Sequence, residues 1–224
     1  MKFITTPLLF LIIPMLASSQ VEWTVFGGPQ ASSAGYKIRD EKQKSSFKYG
    51  FQTGVGMKVA FESQLYFAPS IFYSMKGYKV KFTQYQAPPD VTAIDNDTRM
   101  HTLETAVPLQ LDFSASPSHG FIRTGPTLDF QLFAKEKYHT LSGGTVSRPM
   151  KFGYNDYGRY SANWILHLGY ESENGLTVFA TASIGLASLD NVDEGPDIRH
   201  RTFGFCLGWK FHNSRLVMDT RNKE

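Results

Sequence analysis

The sequence predicts an all-β fold, an eight-stranded antiparallel up-and-down transmembrane β-barrel. Three observations lead there. Apolar and small or polar residues alternate with a period of two, over stretches longer than ordinary strands. The connections between stretches are alternately short and long. Charged residues keep to one face of each stretch. The alternation is plainest in residues 201–211, where Phe203, Phe205, Leu207, Trp209 and Phe211 interleave with Thr202, Gly204, Cys206, Gly208 and Lys210. One such strand suits a soluble sheet with its apolar face on a core, or a membrane barrel with that face on lipid. The rest of the chain separates the two.

In chain order, the first element is a secretory signal, MKFITTPLLFLIIPMLASSQ. Lys2 gives it charge, residues 7–16 an apolar run, and Ala17-Ser18-Ser19 the small residues of a cleavage site. Cleavage is expected after Ser19, leaving a barrel domain over 20–212 and a polar tail over 213–224. A membrane anchor needs about 20 apolar residues, and this run is shorter and contains Pro14. The single cysteine, Cys206, is far from this segment, which excludes lipid attachment there and an internal disulfide.

Eight alternating segments follow, at 22–36, 47–62, 65–82, 100–115, 120–135, 157–171, 175–188 and 200–212. In the second, Tyr49, Phe51, Thr53, Val55, Met57, Val59 and Phe61 form one row; in the fourth, Leu103 to Phe113; in the sixth, Tyr160 to Tyr170. Period-two alternation marks strands, and these match the roughly nine to eleven residues that cross a bilayer at a tilt. Tight turns are expected around Ser63-Gln64, Ser116-Pro117-Ser118 and Ser172-Glu173-Asn174. The connections 37–46, 83–99, 136–156 and 189–199 read as long loops. That is the layout of an outer-membrane barrel, short turns in the periplasm and long loops outside.

Charge follows the same division. The apolar rows of segments two, four, six and eight lack Lys, Arg, Asp and Glu, while the opposite rows hold Lys58, Glu62, Glu104, Asp112, Glu171 and Lys210. Lipid enforces this, since a Lys or Arg facing the midplane costs roughly 2–4 kcal/mol. The inward rows carry Lys58, Lys76, Arg123, Lys210, Glu104, Asp112, Asp129 and His167, with both signs represented. Eight strands enclose a space that side chains fill, so these residues read as a charge-compensated plug rather than a polar pathway or ligand pocket.

At these residues the chain resembles the PorT-like outer-membrane β-barrel family, common in Bacteroidetes. The stretches that carry the resemblance are VFGGPQ (25–30), YFAPSIFYSMKGYK (66–79), TAVPLQLDF (105–113), FIRTGPTLDF (121–130), ENGLTVFATASIGL (173–186) and FGFCLGWKF (203–211). The resemblance implies an eight-stranded barrel in the outer membrane of a Gram-negative cell. Its partners would be outer-membrane lipid and lipopolysaccharide, with the barrel-assembly machinery during insertion and an envelope protein not identified by sequence. One branch of the family is linked to protein secretion across the outer membrane. The chain departs from the usual aromatic ending, because HNSRLVMDTRNKE follows Phe211.

No catalytic, cofactor-binding or metal-binding set is expected. His101, His119, His139, His167, His200 and His212 form no i, i+2 or i, i+4 pair. His200 near Asp197, and His139 near Thr140 and Ser142, are the two arrangements a membrane-embedded hydrolase would use, and both lie in polar loop contexts. A secreted lipocalin-like barrel would need apolar inward rows. The net charge of +3, on scattered basic residues, excludes nucleic acid as a partner. Acidic segments at 90–97 and 190–197 and basic ones at 37–48 and 135–151 read as solvated loop tips, with bridging cations or lipid phosphates as the alternative. In DNVDEG (190–195), Val192 takes the third position of a calcium loop. Asn96-Asp97-Thr98 would be a glycosylation sequon only in a eukaryotic secretory setting.

Overall fold

A computed structural model of the chain describes residues 21–83, 90–154, 156–192 and 195–211. The signal segment, its cleavage site and the 213–224 tail lie outside the described residues. The strands are β1 (Glu22–Ile38), β2 (Glu41–Lys42), β3 (Lys44–Ser46), β4 (Lys48–Glu62), β5 (Leu65–Phe67), β6 (Ser70–Lys81), β7 (Asp95–Ala106), β8 (Leu109–Asp112), β9 (His119–His139), β10 (Thr145–Pro149), β11 (Tyr160–Glu171), β12 (Leu176–Gly185) and β13 (Asp197–Phe211). They build eight staves: β1, β4, β5 with β6, β7 with β8, β9, β11, β12 and β13. Each stave pairs antiparallel with the next. β13 then pairs with β1 from Trp23↔Phe211 to Lys37↔Asp197, which closes the ring.

The third and fourth staves are split where the chain supplies proline. Pro69 follows β5 and Pro108 precedes β8, and neither can donate to a ladder. Their carbonyls stay in use: Pro69 accepts from Met57 N at 2.8 Å and Pro108 from Ala68 N at 3.0 Å. The 172–176 turn closes through Gly175, whose φ of +90° suits glycine, with Ser172 N donating to the Leu176 carbonyl at 2.8 Å.

Parity along the staves is as the alternation predicts. Tyr160, Trp164, Leu166, Leu168 and Tyr170 face outward on β11, as do Phe203, Phe205, Leu207, Trp209 and Phe211 on β13. Two irregularities shift it. Ala60 pairs with Tyr66 and Glu62 with Leu65, so the register slips at the end of β4. Glu62 is therefore exposed at the rim, not inward as the alternation had it. On β9, His101 opposes Phe133 and Thr102 opposes Gln131, which leaves Leu132 as a bulge. Below the bulge the odd residues face in; above it Ala134, Glu136 and Tyr138 do, and Lys135 and Lys137 face out.

All four of the expected long loops are partly strand. β9 has 21 residues and spans about 70 Å at ~3.3 Å per residue, far more than a bilayer crossing requires. Its upper part pairs with β10 and with Asp97–Arg99 of β7, while β2 pairs with β1 and β3 with β6. The sheet thus continues past the apolar band at the loop end.

The interior is layered. Nearest the turn end lies an ionic layer. Above it Phe26, Phe72, Ala106, Phe121, Ile165, Phe179 and Cys206 form an apolar layer. Gly54 makes room there, since a Cβ would collide with Phe72. A second ionic layer follows, and then an aromatic cap that includes Tyr36, Tyr78, Phe82, Met100, Tyr138, Tyr157 and Ile198. Inward rows are therefore apolar in two zones, which the charge-based reading of the lumen did not anticipate.

Candidate functional site

The turn-end ionic layer is the most connected polar site. Lys58 on β4 reaches across the lumen to Asp112 on β8 at 2.6 Å and to Glu171 on β11 at 2.9 Å. Lys210 on β13 takes the same Glu171 at 3.0 Å and Glu22 on β1 at 3.4 Å. Gln110 donates to Asp112 at 2.7 Å and to Glu171 at 2.9 Å. Its Oε1 accepts two bonds from Arg123, at 2.9 and 2.6 Å. The Arg123 guanidinium lies over the rings of Phe121 and Phe179, and Lys58 lies over Tyr66. Lys58, Lys210 and Arg123 balance Glu22, Asp112 and Glu171, so the layer is neutral apart from His119. Burying such charges demands this pairing.

His119 completes the layer. Its Nδ1 donates to the Ser116 carbonyl at 2.7 Å, and its Nε2 lies 2.9 Å from Asp112 and 3.5 Å from Glu171. Both nitrogens face oxygen acceptors, and none of these partners is a hydroxyl or thiol nucleophile. A pocket of about 590 Å³ opens below, lined by Glu22, Lys58, Asp112, His119 and Lys210 among others.

The second ionic layer is smaller. Lys76 on β6 joins Glu104 on β7 at 2.8 Å and is also bonded to Asp129 on β9. Thr102 donates to Glu104 at 3.1 Å, and Ser161 to Asp129 at 3.3 Å. All eight inward residues singled out from sequence face the lumen, and the structure gathers seven of them into these two layers. His167 stacks instead on Phe179 between them, with ring centroids 4.9 Å apart. Sequence reasoning missed Gln110, His119 and Glu22. Gln110 was legible, two residues from Asp112 on one row; His119, beside a turn, carried no signal.

The hydrolase arrangements are not assembled. His200 points inward and packs on Tyr78, with ring centroids 5.7 Å apart, whereas Asp197 is bonded to Arg199 at 2.9 Å. His139 pairs with Asp95 at 2.8 Å, while Thr140 and Ser142 bond each other. Among the described residues no group of three or more His, Cys, Asp or Glu is placed to hold a metal ion. The acidic residues of the 90–97 segment are taken up locally. Asp90 accepts from Thr92, and those hydrogen bonds lower its carboxyl below the usual range. Asp97 pairs with Lys48 and, at 3.7 Å, Lys79.

A closed ring of eight antiparallel staves, apolar outside with charges paired inside, defines an integral outer-membrane β-barrel. The outer membrane protein beta-barrel domain family matches residues 16–191, and the chain belongs to that family. No curated protein sequence matches the chain. Among solved structures, it is similar to the attachment invasion locus protein Ail of Yersinia pestis, at 14% identity and TM-score 0.45, covering 86% of this chain and 99% of that one. It is likewise similar to OprG of Pseudomonas aeruginosa, at 13% and 0.45 over 87% and 97%. Neisserial surface protein A gives 14% and 0.43 over 84% and 97%.

Proposed function

We propose that this protein is a non-enzymatic outer-membrane barrel with a closed lumen, and that its role is structural or interactional. It would be exported by a signal cleaved after Ser19 and inserted by the barrel-assembly machinery, with the strand extension at the loop end presented outward. The observation that carries this is the layered interior. Two ionic layers, an apolar layer and an aromatic cap follow one another along the axis, and an eight-stranded barrel has no width to spare around them. The PorT-like resemblance makes protein secretion the first envelope process to test by gene deletion. Planar-bilayer recording of the folded protein tests the closed lumen itself: no steady open state is expected. Lasting steps on the order of a nanosiemens, as wide water-filled barrels give, would overturn it.

A further inference from the structure

The outer wall above the apolar band carries cations that the fold does not neutralise. On β6, β7 and β9 an aromatic belt of Tyr73, His101 and Phe133 marks the edge of the band; His101 stacks on Phe133 at 4.2 Å and is bonded to the Tyr73 hydroxyl. Such belts sit at headgroup level. One step further out, Arg99 lies directly opposite Lys135. Two rows on, Lys44 lies directly opposite Lys81. Like charges facing across strands destabilise a sheet, and all four side chains are exposed without an ion pair among the described residues. Between the two pairs, Lys79 and Lys137 flank Asp97, which Lys48 already engages. Asp95 is taken by His139. A cleft of about 260 Å³ opens along this face between Lys79, Lys81 and Lys137.

We propose that this face, on β3, β6, β7 and β9, binds the phosphate groups of an outer-leaflet glycolipid headgroup. Six cations (Lys44, Lys79, Lys81, Arg99, Lys135 and Lys137) stand on the outer wall, where a headgroup packs against the barrel and its acyl chains lie along the apolar band below. The Arg99 fork offers two parallel donors to a phosphate, and Lys135 opposite adds a point charge. A soluble polyanion has no access to Arg99 except through the headgroups. The inference rests on the outer-membrane reading, with short turns in the periplasm.

The test uses full-length folded protein in phosphatidylcholine vesicles doped with fluorescent diphosphoryl or monophosphoryl lipid A. The wild type is compared with R99Q/K135Q/K137Q and with K37Q/K42Q, which removes charge elsewhere on the loop end. Each basic residue near a charged lipid contributes about a factor of five, so the triple variant should lose roughly a hundredfold in affinity. The control variant should keep it, the monophosphoryl lipid should bind more weakly, and millimolar inorganic phosphate should not compete. Unchanged lipid binding by the triple variant overturns the site. Full competition by inorganic phosphate, or binding of a sulfated glycan without preference for lipid A, overturns the headgroup as its ligand. Heat-modifiable migration of each protein reports the barrel separately. A wild type that never folds into vesicles fails the outer-membrane reading, while a folded variant that still binds fails only this proposal.

Discussion

Leu207 and Cys206 are neighbours in the chain with opposite surroundings. Leu207 is 54% exposed on the lipid wall; Cys206 is fully buried in the apolar layer, with Gln52 Nε2 donating to its sulfur at 3.1 Å. Leu207→Arg should therefore cost roughly 2–4 kcal/mol and depress folding yield into vesicles. Cys206→Ser should fold nearly as the wild type, because Gln52 remains to bond the hydroxyl, and Cys206 should resist a bulky maleimide until the barrel is denatured. If the arginine variant folds well while the serine variant fails, the parity is inverted. A different residue-scale effect belongs to Asp190, in the loop before β13. Burial raises its carboxyl pKa to about 6, and the nearby Asp156 adds to the rise. The folded state therefore favours the protonated form. Stability from this group is present at low pH and lost as pH rises through about 6. Asp190→Asn should stabilise by about 1 kcal/mol at pH 8, after allowing for partial solvent screening, and by nothing near pH 4. Chemical denaturation at both pH values checks the sign.

At the scale of elements, strand number, face and the division into turns and loops were legible because lipid imposes a sharp rule on each outward residue. What was not legible came from pairing between distant segments. Nothing local in Lys44–Ser46 or Thr145–Pro149 shows that they find β6 and β9 as partners. The bulge at Leu132 was equally hidden, since LF at 132–133 reads as two apolar residues in sequence and only the facing strand reveals the slip. The ionic layers were half legible. Parity placed Lys58, Asp112 and Lys210 inside, but the meeting of both lysines at Glu171 depends on the curvature of the closed sheet. The bulge gives this scale its prediction. Deleting Leu132 should remove the bulge and leave β9 regular, with Gln131 in, Phe133 out and Ala134 in, so that Lys135 and Lys137 stay outward and Tyr138 inward. Proteolysis should then find residues 133–150 as protected as in the wild type; new cleavage confined to 133–150 would refute the assignment.

At the scale of the molecule, the turn-end layer ties six of eight staves together through the centre. Lys58→Met leaves Asp112 without its closest cation, and losing one member of a buried pair typically costs about 3–5 kcal/mol. Adding Asp112→Asn and Glu171→Gln should recover much of that loss, a strong non-additivity, because the triple variant strands fewer carboxylates. Urea unfolding in lipid vesicles measures all three, and additive losses would mean the charges do not act as a unit.

Lys210 has a consequence beyond stability. The β13–β1 seam could slide by two residues and still satisfy its main-chain bonds with each side chain facing as before, since facing repeats every second residue. Such a slide would change the stagger with which the sheet closes, and stagger together with strand number sets a barrel's circumference. It would also carry the Lys210 amine about 7 Å along the strand, away from Glu22 on β1, which it now joins across the seam. One lysine therefore acts as a gauge, making the native girth cheaper than its neighbours.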